Sequence, residues 1–256
     1  MIDRFDYTKK RLAENASIRQ IARELSVDHT AIQYWIKHNF TTGTRNTETT
    51  KNDIITVCQS NPAEYAYLLG SYFGDGYIVQ FKRTKKLTFY CFSEYREIID
   101  LQKLCVSKLF SNNIIGEYKQ LKAKCVEVRV HHKNMEYYFP QHGVGRKSER
   151  PIVLEQWQQD IVDCHRDCFI AGLIDTDGSH YFGKASKRWH YQFTNKSKDI
   201  MDLFVESINK FDIHNYHLRF RTGTDILNVT ISKTTDVAKL DEIYKTAYTK
   251  LNQPIT

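Results

Sequence analysis

Two stretches of this chain, YLLGSYFGDGYI (67–78) and FIAGLIDTDGSH (169–180), share one skeleton: a glycine, four residues, then Asp-Gly. The aspartates that close them, Asp75 and Asp177, stand 102 positions apart (177 − 75). The segments REIIDL (96–101) and KDIMDL (198–203) repeat at the same offset of 102 (198 − 96). Two unlinked matches at one spacing mean an internal duplication, so the chain must fold as two copies of one unit. The copies differ at one place in the motif: where the later has Asp175, the earlier has Phe73.

The elements around each copy repeat as well. After Asp75 the patterns predict strands at YIVQFKR and KLTFYCFS and then an amphipathic helix beginning EYREIIDLQKL; after Asp177 they predict HYFGKA, RWHYQFTN and a helix beginning SKDIMDLFV. Two more strands follow in each half, EYKQLK and KCVEVRVH in the first, HLRFR and ILNVTIS in the second. A closing helix ends each half, KNMEYYF and DVAKLDEIYKTAY. Within KCVEVRVH the alternation sends Val126, Val128 and Val130 to one side and Glu127 and Arg129 to the other; Leu218 and Phe220 likewise oppose His217, Arg219 and Arg221. One face of each four-stranded sheet should pack under helices. The other should be polar, basic and flat, and two such sheets make a saddle suited to a duplex.

The first 40 residues follow a different logic. Ile18, Ile21, Ala22 and Leu25 recur at helical spacing, as do Val27, Ile32, Trp35 and Ile36, and Ser26-Val27-Asp28 breaks the run with Asp28 as N-cap of the second helix. Two short helices joined by a tight turn resemble a helix-turn-helix. In that arrangement the second helix enters the major groove and presents His29, Thr30, Gln33, Tyr34 and Lys37 to bases and phosphates. TTGTRNTETTKND, poor in apolar residues, reads as a linker. The expected domains are therefore a helix-turn-helix at 1–40, a linker at 41–53, a first half at 54–150 and a second half at 151–256. The fold class is α+β: an all-α N-terminal unit and duplicated αββαββα halves forming a pseudo-two-fold β saddle.

Composition narrows the partner. The net charge of +7 favours a polyanion, and Val79–Arg150 alone holds 15 Lys+Arg against 7 Asp+Glu with Tyr and Phe interleaved. Lys82 and Arg83 stand in this basic region as candidate DNA contacts. The chain has no run of about 18 apolar residues, which excludes a membrane helix, and MIDRFDYTKK lacks the apolar core of a signal peptide. The expected place is the cytoplasm, beside the nucleoid. Six scattered cysteines form no metal or disulfide framework; Cys164 and Cys168 read as two thiols on one face of a helix.

The motif has its own chemistry. Gly70 and Gly172 allow two helices to cross with their backbones nearly touching. Each helix then ends at Asp-Gly, with Gly76 or Gly178 free to adopt a left-handed cap. A helix C-terminus carries partial negative charge and free carbonyls, so Asp75 and Asp177 placed side by side there form an oxygen-rich site for a hard divalent cation such as Mg²⁺.

AGLIDTDG (171–178) differs at one position from the signature of the LAGLIDADG homing endonucleases, and LLGSYFGDG (68–76) looks like a diverged first copy. The resemblance spans most of residues 60–250 in element order. It implies that Asp75 and Asp177, with the carbonyls of Gly74 and Thr176, bind Mg²⁺ or another divalent cation such as Mn²⁺. It further implies hydrolysis of double-stranded DNA by a monomer, with short 3′ overhangs. Family members often add a basic residue near the metals, and Lys147, in a loop that resembles the G-x-Lys-Ser segment of intein endonucleases, matches best; in the second half Lys233 and Lys250 are the options. His131, His132 and His142 read as DNA contacts. The same scaffold also suits a DNA-binding regulator that does not cleave. A maturase acting on folded RNA is a third reading, which the helix-turn-helix disfavours.

Overall fold

The computed structural model describes residues 3–37, 49–120 and 123–253. These fall into two compact units, 1–49 and 50–256. The smaller unit has three helices: α1 (Arg4–Ala13), α2 (Ile18–Leu25) and α3 (His29–Lys37). Ser17 caps α2 through its side chain, and Ser26 turns the chain out of α2 in the left-handed conformation (φ 52°). Asp28 accepts from the Thr30 amide at 2.8 Å, as its capping role requires. Ile21, Ala22 and Ile32 form the buried centre, with Trp35 packed against them, whereas Ile36 is exposed. The first helix was not read from the sequence. It is tied to α2 by Arg11, whose guanidinium meets Glu24 at 2.7 Å.

The larger unit contains the duplication. Its first half runs α4 (Lys51–Ser60), α5 (Pro62–Phe73), β1 (Tyr77–Gln80), β2 (Lys85–Phe92), α6 (Arg96–Leu109), β3 (Gly116–Lys119), β4 (Cys125–His132) and α7 (Met135–Tyr138). The second runs α8 (Gln156–Cys164), α9 (Arg166–Asp177), β5 (Gly178–Gly183), β6 (Arg188–Asn195), α10 (Lys198–Asn209), β7 (Tyr216–Phe220), β8 (Leu227–Ile231) and α11 (Thr234–Leu251). Each half therefore carries one helix more than the αββαββα pattern. α4 starts inside the stretch read as linker, because Thr50 and Asp53 cap each other reciprocally; residues 38–48, which hold most of that linker, lie outside the described residues. α8 ends at Cys164 and the chain breaks at His165 (φ −128°), so Cys164 and Cys168 belong to different helices.

Both sheets are antiparallel with the same order, β1-β2-β4-β3 and β5-β6-β8-β7. Directly paired residues share a face. Leu87 with Val130, Phe89 with Val128 and Phe193 with Val229 thus line the buried face, while Thr88 with Arg129 and Gln192 with Thr230 lie on the open one. β7 differs from expectation: Leu218 and Phe220 pair with the buried Val229 and Leu227 but are 49% and 68% exposed. β7 is an edge strand, and the covering helices α10 and α11 lie against β6. At the centre of the unit α5 and α9 pack on each other, buried from Glu64 to Phe73 and from Arg166 to Ile174. A helix apolar on all sides belongs in such a position.

Candidate metal centre at the meeting of the two motif helices

The glycines set how closely α5 and α9 approach. A Cβ on Gly70 would lie 2.4 Å from the Phe169 carbonyl oxygen, and one on Gly172 would lie 2.1 Å from that of Tyr67. The two contacts are copies of each other, since each residue of one is offset by 102 from its counterpart in the other (169 − 67, 172 − 70). The last turn is asymmetric. A Cβ on Gly74 would strike the Thr176 side chain, so the glycine of one copy makes room for the threonine of the other. Gly76 and Gly178 do not adopt the left-handed cap expected of them, since Gly145 and Gly223 alone have positive φ among the described glycines. They are required for space instead: a Cβ would come within 2.4 Å of Tyr72 Cα and 2.6 Å of Ile174 Cα.

This crossing brings Asp75 and Asp177 together at the helix ends. Burial raises the carboxyl of Asp75, opposed by Lys147. Burial and the neighbouring Asp75 push Asp177 up to about 6, against the pull of Lys147 and a hydrogen bond from Asn195. That bond, Asn195 Nδ2 to Asp177 Oδ2 at 2.6 Å, fixes the carboxylate. Lys147 arrives from the loop between the halves, in a short 3-10 helix (Lys147–Glu149). Its ammonium donates to the carbonyls of Tyr72 (2.7 Å) and Gly76 (3.2 Å), and also to that of Gly74. Burial lowers Lys147 to about 8, although Asp177 and Asp75 favour its charge. Two clefts flank it. One of about 360 Å³ includes Gly74, Arg146, Asp177, Asn195 and Lys196, and one of about 600 Å³ includes Tyr77, His142, Arg146 and Arg150.

The donor set fits a hard divalent cation in its carboxylates, two neighbouring acids whose mutual repulsion a cation would relieve, with Asp75 reachable from solvent. Among the described residues no group of three or more His, Cys, Asp or Glu could hold a metal, so main-chain oxygens or the substrate would complete the shell. Gly74, assigned a carbonyl ligand by resemblance, here accepts from Lys147.

No protein-family model matches the chain. An uncharacterised protein of Methanocaldococcus jannaschii is 22% identical over 233 residues, 88% of this chain and 76% of that one. Mesophilic variants of the homing endonuclease I-DmoI superpose with a TM-score of 0.50 at 21% identity, covering 72% of this chain and 97% of theirs. A further I-DmoI variant, solved with its target DNA in the presence of manganese, gives a TM-score of 0.52 at 20% identity over 75% of this chain and 98% of its own. The chain has the LAGLIDADG fold.

Within the LAGLIDADG fold the structure sorts the remaining sequence-derived residues. Lys82 and Arg83 occupy the exposed β1–β2 turn, and Arg219 and Arg221 are exposed at and beside the edge strand β7. Arg129 lies on the open face of the first sheet, but its guanidinium is paired with Glu127. In the smaller unit His29, Gln33, Tyr34 and Lys37 are exposed along α3; Thr30 is exposed too, but its hydroxyl is engaged by Asp28 at 2.5 Å. His131 faces the open side beside Phe81, whereas His132 turns away from that face against Phe110 and Tyr138. Lys250 is at the wrong end of α9: it pairs with Asp167 at 2.6 Å, ten residues or about 15 Å along the helix from Asp177. Lys233 precedes α11, exposed, and lines neither cleft.

Sequence reasoning missed three residues. Asn195 and Lys196 follow from no motif, although both stand at the end of a predicted strand. Asp175, which has no acidic counterpart in the first copy, has a task of its own. It accepts hydrogen bonds from Tyr67 of α5 (2.6 Å) and from Tyr248 (2.7 Å) and Tyr244 of α11. No helix among the described residues is long and apolar enough to cross a membrane.

Proposed function

We propose that this protein is a site-specific endonuclease of double-stranded DNA, working as a monomer with a divalent cation, Mg²⁺ or Mn²⁺, at the meeting of its two halves. The observation that carries this reading is the pair of aspartates brought together where the glycine-packed helices end, Asp177 half-buried and Asp75 open to solvent, with the half-buried Lys147 acting on both. Asp75 and Asp177 would hold the cation. When bound, it would supply Lewis acidity toward a phosphodiester and lower the pKa of a bound water. The chain's own groups do the rest. Asn195 orients Asp177, the crossing glycines fix the separation of the two acids, and Lys147 holds a proton at Nζ near the reacting phosphate. Arg146, Lys196 and Arg150 line the clefts where flanking phosphates would lie. The exposed residues of α3, His29, Gln33, Tyr34 and Lys37, suit a major-groove helix that lengthens the footprint.

The test is incubation of the purified protein with Mg²⁺ and a plasmid library that includes its gene's own flanks. Specific cuts support the enzyme, and Asp75→Asn or Asp177→Asn should abolish cutting of at least one strand while leaving binding intact. A double Asp→Asn variant that still cuts would sink the assignment.

A second reading is a DNA-binding regulator that does not cleave. One observation favours it: Lys196, a second-half lysine that lines the same cleft as Asp177, is paired with Asp225 at 2.8 Å. Tight, salt-dependent binding without any cut would decide for it.

A further inference from the structure

The open face of the first sheet carries a constellation that cleavage does not use. β4 is an interior strand, so Arg129 emerges mid-face between Thr88 of β2 and Gly116 of β3. Glu127 lies two residues away on the same face, its side chain only 4% exposed. Gln120 Nε2 donates to Glu127 Oε1 at 2.5 Å, and Arg129 donates Nε and Nη2 to Oε2. Burial by itself would raise the Glu127 carboxyl, but the hydrogen bonds from Gln120 and Arg129 outweigh it and hold it below its ordinary value. The guanidinium also lies 4.4 Å from the centre of the Tyr118 ring. Gly116 makes that ring position possible, because a Cβ there would fall 2.3 Å from Tyr118 Cε2.

A guanidinium has five N–H donors in a rigid plane. Glu127 takes the Nε/Nη2 side and Tyr118 covers one flat face, which leaves Nη1 and the outer N–H of Nη2 on a side chain still 28% exposed. Two parallel donors on one edge match the N7 and O6 acceptors of guanine in the major groove. A phosphate contact needs no such support, and a carboxylate beneath the arginine weakens its attraction to phosphate while fixing its direction. On the same face the Thr88 hydroxyl is buried without a hydrogen-bond partner.

We propose that Arg129 reads a guanine and that Glu127 is its positioning residue, so that the half-site under the first sheet carries a required G·C pair. This rests on the duplex-DNA reading above. The test uses the full chain and its Arg129→Lys, Arg129→Ala and Glu127→Gln variants. Each is selected against a randomised duplex library without cleavage, then titrated on the selected duplex and on every alternative base pair at each position, at low and high salt. The wild type should show one G·C position with discrimination of about 5- to 150-fold. Arg129→Ala and Arg129→Lys should both flatten it, since lysine lacks the bidentate fork. Glu127→Gln should weaken discrimination while binding random duplex at least as strongly. Uniform weakening in Arg129→Ala that Arg129→Lys restores would make Arg129 a phosphate contact and overturn the proposal. Unchanged selectivity in all three, with unfolding temperatures near wild type, would reduce the pair to a structural one. A wild type that binds no duplex would sink the duplex-DNA reading itself.

Discussion

At the scale of single residues, Phe73 is where the sequence invites a wrong conclusion. Beside Asp175 it looks like a lost acid, and the motif alone gives no reason for the exchange. The reason lies in what surrounds each position. Asp175 is enclosed by three tyrosine hydroxyls, two of them one helical turn apart on α11. Phe73 is fully buried and packs edge-on against Phe169, 6.1 Å between ring centres. Phe73→Asp, which restores the motif, should therefore destabilise the protein by about 3–5 kcal/mol, as an uncompensated buried charge does; denaturant titration measures it, and a stability equal to wild type would refute the account. The glycines give the opposite lesson, since their need was legible from spacing alone. Gly70→Ala and Gly172→Ala each drive a Cβ into a carbonyl oxygen of the other helix. Each should cost about 1–3 kcal/mol or more, because main chain yields less readily than a side chain. An unshifted midpoint in either variant would show that the helices can part freely.

At the scale of elements, strands and amphipathic helices were readable because their periods are local properties of the chain. RWHYQFTN coincides with β6, and the alternation in KCVEVRVH gave the correct faces of β4. The elements that were missed depend on partners distant in sequence. α4 and α8 are short and half polar, and each gains definition from a reciprocal cap and from packing on α5. The closing helices were read as equivalents, yet α7 has 4 residues and α11 has 18, and it is α11 that supplies Tyr244 and Tyr248 around Asp175. α1 was overlooked because its register depends on a contact rather than on a pattern. Glu24 accepts from Arg11, Gln20 and Tyr7, and the bond from Arg11 chiefly holds its carboxyl down at about 2, against an ordinary 4.5. A depressed carboxyl contributes stability that is complete above its unfolded value and is lost as pH falls through the folded one. Amide exchange in α1 and α2 should therefore quicken as pH drops from about 4.5 toward 2, after correction for the intrinsic rate. Glu24→Gln should remove that dependence, and a pH profile unchanged by the substitution would show that the pair does not fasten α1.

At the scale of the whole molecule, duplication supplied two acids but not two equal sites. Asp75 and Asp177 correspond across the 102-residue offset, whereas Lys147 comes from the connection between the halves and serves both acids, with no duplicate of itself at the same offset. Lys250 serves the far end of α9, and Lys196 is engaged by Asp225. The immediate supports differ as well: the Asp177 carboxylate is held by Asn195, while the carbonyls around Asp75 are held by Lys147. If each acid serves one strand, the two strands meet different chemistry and should be cut at different rates. On supercoiled plasmid bearing the target, a nicked circle should then accumulate before the linear product. Lys147→Met should slow both cuts, since this single ammonium faces both acids, and strand-specific end labels will report which nick comes first. Direct conversion of supercoiled to linear plasmid, with no nicked species at any metal concentration, would mean that the two sites act as equals despite their unequal surroundings.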